Sequence, residues 1–144
     1  MPENYEIDNV DLQILSILQK NAKKPYTEVA KLAHVSSGTV HVRMNKLEKM
    51  GIVQGASLDL NLTKLGYDIS AFLGVFLAKS SLYDKVAEQL IAIPEITSIH
   101  YTTGNYSMFI RIYAKSTDHL KNILHDKIQN VNGIERTETF ITHE

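Results

Sequence analysis

The stretch "VSSGTVHVRMNKLEKMGIV", Val35 to Val53, gathers the side chains best suited to chemistry with a partner. Taken as a helix from Ser37 to Met50, it turns by about 100° per residue. Val40, Met44 and Leu47 then fall on one narrow stripe. Gly38, Thr39, His41, Val42, Asn45, Lys46 and Lys49 occupy the opposite arc. That arc holds the groups with which a DNA major groove is read. Lys46 and Lys49 suit phosphate or guanine, Asn45 suits adenine edges, Thr39 and His41 donate or accept, and Val42 suits a thymine methyl. Gly38 lets the backbone come close near the helix start, where N–H groups favour phosphate. Ser36, the expected N-cap, and Ser37 complete the candidate set. Arg43 lies on the flank of the apolar stripe and has two readings, a phosphate contact or a pairing with a neighbouring acid. Periodicity alone favours an ordinary amphipathic helix in water.

The elements around this stretch strengthen the first interpretation. "NVDLQILSILQKNA" predicts a helix with Asp8 as N-cap, Asp11 three residues on, and a hydrophobic staple between Ile7 and Leu12. Ile14, Leu15 and Leu18 give it an apolar stripe, and Pro25 breaks the pattern. "TEVAKLA" predicts a short second helix with Val29, Ala30 and either Leu32 or Ala33 inward. His34-Val35 forms a tight connection to the third helix, which ends near Gly51. Three short helices with a tight turn between the last two make a helix-turn-helix. From Lys20 to Lys49 seven basic residues face only Glu28 and Glu48, a local charge of +5 in a chain whose formal net charge is -1. A basic patch in a neutral protein is the electrostatic footprint of a nucleic-acid reader. "IVQGASLDLN", Ile52 to Asn61, predicts a small hairpin or strand beside the third helix, and "LTKLG" a linker. The expected domains are residues 7–62 and 67–144.

The second half changes period. "DISAFLGVFLA" reads as a strand, "SLYDKVAEQLIAI" as a helix ended by Pro94, and "EITSIHYTTG" and "YSMFIRIYA" as strands joined through Gly104-Asn105. "STDHLKNILHDKIQNV" reads as a helix capped by Ser116, with Leu120, Ile123, Leu124 and Ile128 inside, and "IERTETFITHE" as the last strand. The order β-α-β-β-α-β predicts a ferredoxin-like domain, so the chain as a whole is α+β. Both helices cover one face of the sheet. The other face is apolar and is expected to be covered by a second copy, giving a homodimer with assembly to an octamer left open. A rival use of that order is an RNA platform with Tyr101, Phe109 and Tyr113 stacking bases. The strands are too apolar and too poor in arginine for it.

Several classes are excluded. The 144 residues contain no cysteine, which removes disulfides and Cys-based metal sites and fits a reducing cytoplasm. No apolar run approaches the ~20 residues of a membrane span, and the acidic opening "MPENYEIDNVD" does not read as a signal peptide. The six histidines are scattered, and His119 and His125, six apart, do not share a helical face, so no metal is expected. There is no Gly-rich phosphate loop, no nucleophile elbow and no paired carboxylates, so no enzyme and no cofactor are expected.

The stretch from Ile7 to Gly55, "IDNVDLQILSILQKNAKKPYTEVAKLAHVSSGTVHVRMNKLEKMGIVQG", resembles the N-terminal domain of the Lrp/AsnC, or feast/famine, transcription regulators. The matching positions are Asp11 with Ile14-Leu15, Leu18-Gln19, Glu28 with Ala30, Val35-Ser36 with Val40 and Arg43, Leu47-Glu48, and Gly51-Ile52-Val53. The second half is similar to that family's ferredoxin-like sensing domain, and "TTGNYSMFIRIYA" stands where the family has its effector loop. The resemblance implies a regulator that binds double-stranded DNA as a dimer or larger assembly and responds to a small amino acid. It implies effector contacts from Thr102, Thr103, Gly104, Asn105, Tyr106 and Ser107, to which Thr137 and Thr139 on the last strand could add hydroxyls. Turn chemistry and packing explain these residues equally well. Two positions depart from the family pattern. Pro25 stands where a small capping residue is usual, and Ser107 stands where the loop commonly carries an aspartate. Ser107 cannot supply the charge that would pair with an effector's ammonium.

Overall fold

A computed structural model describes residues 6–143; the signal-peptide reading of the opening residues therefore lies partly outside the described residues. The chain divides into two compact units between Asp59 and Leu60.

The first unit contains three helices, α1 (Asn9–Lys20), α2 (Tyr26–Ala33) and α3 (Ser37–Lys49). Asp8 caps α1 through a reciprocal box. Its carboxylate accepts from the Asp11 N–H at 2.9 Å, and the Asp11 carboxylate accepts from the Asp8 N–H at 3.0 Å. The expected staple is not made: Ile7 packs against the core, but Leu12 is 56% exposed and outside it. Helix α2 starts at Pro25 with no side-chain cap, as a residue without a side-chain oxygen dictates. It buries Val29, Ala30 and Ala33, and Leu32 points outward. These side chains meet Ile14, Leu18, Val40, Met44 and Leu47 in one cluster.

The hairpin or strand expected over residues 52–61 is not formed. After the α3 C-terminus the Ile52 and Val53 N–H groups both donate to the Leu47 carbonyl, and Val53 packs on the core. The chain then runs on exposed and without ladder partners among the described residues. A lone extended run has no strand within its own unit to pair with, and alternation alone cannot supply one. "LTKLG" is a single 3-10 turn, Thr63–Leu65, closed by Gly66 at φ 90°.

The second unit is a four-stranded antiparallel sheet of β1 (Ile69–Leu77), β2 (Ile96–Tyr101), β3 (Met108–Ala114) and β4 (Ile134–Thr142), in the order β2-β3-β1-β4. Helix α4 (Tyr83–Ile91) follows β1, and α5 (Thr117–Asn122) follows β3 under a Ser116 cap. This is the β-α-β-β-α-β arrangement. Leu73, Val75, Ile110 and Ile112 meet Val86 and Leu90 of α4 and Leu120 and Ile123 of the second helix in its core. Beyond Asn122 that helix widens into a π-helix, Ile123–Ile128. A spacing of five places Ile123 and Ile128 on a common buried face only when the turn is widened by i→i+5 bonding, and both are buried. No helix among the described residues is long and apolar enough to cross a membrane.

Candidate functional site

Helix α3 is positioned from both ends. His34 takes the left-handed conformation, φ 56°, and turns the chain directly from α2 into α3. The Ser36 hydroxyl accepts from the Thr39 N–H at 3.1 Å. At the far end Gly51, φ 75°, stops the helix. Val40, Met44 and Leu47 are buried as one stripe. Opposite them Gly38, His41, Val42, Asn45, Lys46 and Lys49 are exposed, with Val42 54% exposed; Ser36 is exposed, and Ser37 and Thr39 are half-buried.

Three details change the chemistry expected of this arc. The Thr39 hydroxyl lies 2.9 Å from that of Ser36, so it already belongs to the cap. The His41 ring stands edge-on to Tyr26, with centroids 4.5 Å apart. Tyr26, the first residue of α2, has no place in the sequence reading, because no periodicity links positions on different helices. The third detail is a correction: Arg43 does not join the exposed arc. Its Nη1 lies 2.5 Å from Asp8 Oδ1 and 3.1 Å from Asp11 Oδ1, which is the acid-pairing reading. That hydrogen bond, and then the backbone donor from Asp11, hold the Asp8 carboxyl down at about 2. At Gly38 an added Cβ would meet only Ser36 Oγ, at 3.8 Å, so nothing inside the protein requires glycine there.

The loop between β2 and β3 spans residues 102–107, longer than a turn built on Gly104-Asn105 alone. Gly104 sits at φ 112°. The Thr102 hydroxyl donates to the Tyr106 carbonyl at 2.8 Å. The Ser107 N–H donates to the Val75 carbonyl at 2.8 Å, and its hydroxyl accepts from the Leu77 N–H at 3.2 Å. Ser107 thus continues the hydrogen bonding of β1 past the end of β3. Thr103, Gly104 and Asn105 are exposed at the tip.

The Tyr106 ring lies over Gly74, where a Cβ would come within 2.6 Å of it. Phe76 and Phe109 stand edge-on to it at 4.8 and 5.1 Å. Its hydroxyl donates to the Glu138 carboxylate, which pushes the phenol above its usual range. Directly opposed residues of an antiparallel pair share a face. Glu138 and Phe109 both pair with Gly74, so they share the face of Tyr106. Thr137 and Thr139 pair with Val75 and Leu73 and belong to the helix-covered face. The structure therefore does not bring Thr137 and Thr139 to the loop's ring; it brings Glu138 and Phe140, one register step away. The rival trio is split in the same way: Phe109 and Tyr113 share the open face, whereas Tyr101 lies against Tyr83.

A helix-turn-helix with an exposed polar and basic arc precedes a ferredoxin-like unit with a structured β2–β3 loop. The comparisons agree. A winged helix-turn-helix DNA-binding family model matches residues 7–54, and the Lrp/AsnC ligand binding domain matches residues 70–144. Regulatory protein AsnC of Escherichia coli K12 is 43% identical over 139 residues, covering 96% of this chain and 91% of that protein. The solved structure of E. coli AsnC superposes with a TM-score of 0.84 at 41% identity, covering 97% and 94% of the two chains. A transcriptional regulator from Neisseria meningitidis, solved as an L-Met complex, gives a TM-score of 0.89 at 19% identity over 96% and 91%, a likeness of fold. The chain belongs to the Lrp/AsnC family of DNA-binding transcription regulators, which are not enzymes.

Proposed function

We propose that the outer arc of α3 reads double-stranded DNA. Ser36, Ser37, Gly38, Thr39, His41, Val42, Asn45, Lys46 and Lys49 form the contact set, and Arg43 is left out of it. The observation that carries this reading is Val42, an apolar side chain 54% exposed between polar and basic neighbours on a helix whose other face is fully buried. Residues 7–62 are assigned to DNA reading, and residues 67–144 to effector response and assembly. A homodimer in the cytoplasm would read a roughly palindromic site with half-sites about one helical turn apart, upstream of genes of amino-acid or nitrogen metabolism. The test is duplex binding against salt. A steep loss of affinity, reduced in Lys46→Ala and in Lys49→Ala, supports the reading. Binding to a selected duplex that neither change affects would remove it.

The effector is assigned to the class of small amino acids, contacted from the tip of the loop at Thr103, Gly104 and Asn105. The support is that this fold holds L-Met in the Neisseria protein, whose 19% identity speaks for the fold alone. One observation favours a second reading, a regulator that works without an effector: the Thr102 hydroxyl is engaged within the loop and that of Ser107 by strand β1. A thermal-shift screen of the twenty amino acids separates the two. A ligand that binds only the native state raises the melting temperature, and no rise with any of them selects the second reading.

A further inference from the structure

Arg43 joins parts of the chain that sequence keeps far apart. Its guanidinium reaches from the middle of α3 to the first turn of α1, 32 and 35 residues away. Both carboxylates it meets already form the α1 cap, and Asp8 Oδ1 accepts from Arg43 and from the Asp11 N–H at once. Asp11 is fully buried, the one buried charged residue among the described residues. A buried carboxylate that loses its cation is left uncompensated, so this contact is strongly specified in geometry.

Within the apolar core the grip on α3 is narrow. Val40, Met44 and Leu47 lie along one line of the helix. A single line of contacts resists sliding better than it resists rotation about the helix axis. Arg43 stands about 60° around the helix from Val40, off that line and beside the exposed arc. Side-chain tips lie roughly 5–6 Å from a helix axis, so a 10° rotation moves them by about 1 Å. That is enough to break a paired hydrogen bond to a base edge, whereas a lysine on a phosphate would follow the movement.

We infer that Arg43, held by Asp8 and Asp11, is a positioning residue that fixes the rotation of α3, so that it governs which sequence is read rather than how strongly phosphate is attracted. The inference rests on the DNA reading proposed for α3.

Asp8→Asn is the cleanest probe. Asparagine caps a helix as well as aspartate does, so the change removes the Asp8 half of the ion pair, leaves Asp11 with Arg43, and keeps the cap. It also removes a negative charge, which by itself strengthens binding to any duplex. The experiment compares a duplex selected by the wild-type protein from a random pool with a scrambled duplex of the same length. Proteins are the full chain, Asp8→Asn, Arg43→Gln, Arg43→Lys and the Asp8→Asn/Arg43→Gln double variant, each checked by thermal melting. Asp8→Asn and Arg43→Gln are each expected to weaken the selected duplex about tenfold, a loss of about 1.4 kcal/mol. The scrambled duplex should stay within about twofold, with the salt slope unchanged. The double variant should be no worse than Arg43→Gln alone, since that change already removes the contact with Asp8. Arg43→Lys should fall between, having the charge without the planar fork. A slope shallower by about 0.9 in Arg43→Gln would make Arg43 a phosphate contact and overturn the inference. Stronger binding of both duplexes by Asp8→Asn would do the same, as would variants that discriminate like the wild type. If the wild-type protein selects no duplex, the DNA reading fails and takes this inference with it.

Discussion

Helix α3 and the β2–β3 loop carry similar polar residues and treat them in opposite ways. On α3, Asn45, Lys46 and Lys49 point away from the core, and the side chains that hold the helix are a separate apolar stripe. In the loop, Thr102, Tyr106 and Ser107 hold the structure with the very atoms that a ligand would need. A helix separates holding from contacting by its 3.6-residue period. A six-residue loop has no such division, so each polar group there tends to serve the fold first. The same residue type therefore carries more information about a partner on α3 than in the loop.

The sharpest way to break this contrast is at Gly74. If the loop is held by the Tyr106 ring, Gly74→Ala forces a Cβ to within 2.6 Å of that ring and displaces it. A loss of about 1–3 kcal/mol in urea denaturation is expected, with DNA affinity per folded molecule unchanged. On α3 the reverse is expected. Lys46→Ala and Lys49→Ala should each lower the salt slope by about 0.9 and leave stability within about 0.5 kcal/mol. His34→Gly relieves the left-handed strain and should stabilise the first unit by about 0.5–1 kcal/mol in thermal melting. Gly38→Ala tests the smallest element of the comparison. Nothing inside the protein opposes it, so stability should hold or rise slightly, and any loss of duplex binding must come from the partner's side.

Acid gives a further contrast. Asp8 is held at about 2 by Arg43, below the roughly 3.9 of an unfolded aspartate. Its folded pKa is depressed, so its contribution to stability is present above about pH 4. The contribution is lost as pH falls through about 2. The stability difference between wild type and Asp8→Asn should therefore shrink across that window in acid titrations followed by circular dichroism. A difference that grows toward low pH would contradict the pairing with Arg43.

Much of the architecture was legible because its signals are local. Asp8, Ser36 and Ser116 cap the helices they were expected to cap, and the β-α-β-β-α-β order follows from changes in period. The failures share a cause. Thr137 and Thr139 were open to the loop only as hydroxyls on the last strand, and a place along β4 does not say which side a side chain faces. One step of register sends every side chain of a strand to the other face. Arg43 had two partners open to it because the helical wheel gives its angle on α3 and nothing about what α1 presents there. Residues 52–61 alternate like a strand and find no partner within their own unit. In each case sequence specified one element well and could not specify its relation to a second.

The widened turn at Ile123–Ile128 bears on how the length of this helix can vary. A π turn is what an α-helix becomes when one extra residue is accommodated without moving either end. Deleting one exposed residue there, such as His125, would leave Ile123 and Ile128 four apart and restore regular helical bonding, with both still buried. The surplus residue is absorbed before the chain reaches β4, so the register of β4 against β1 does not depend on it. This helix works as an expansion joint, where the chain can gain or lose a residue while the sheet keeps its alignment.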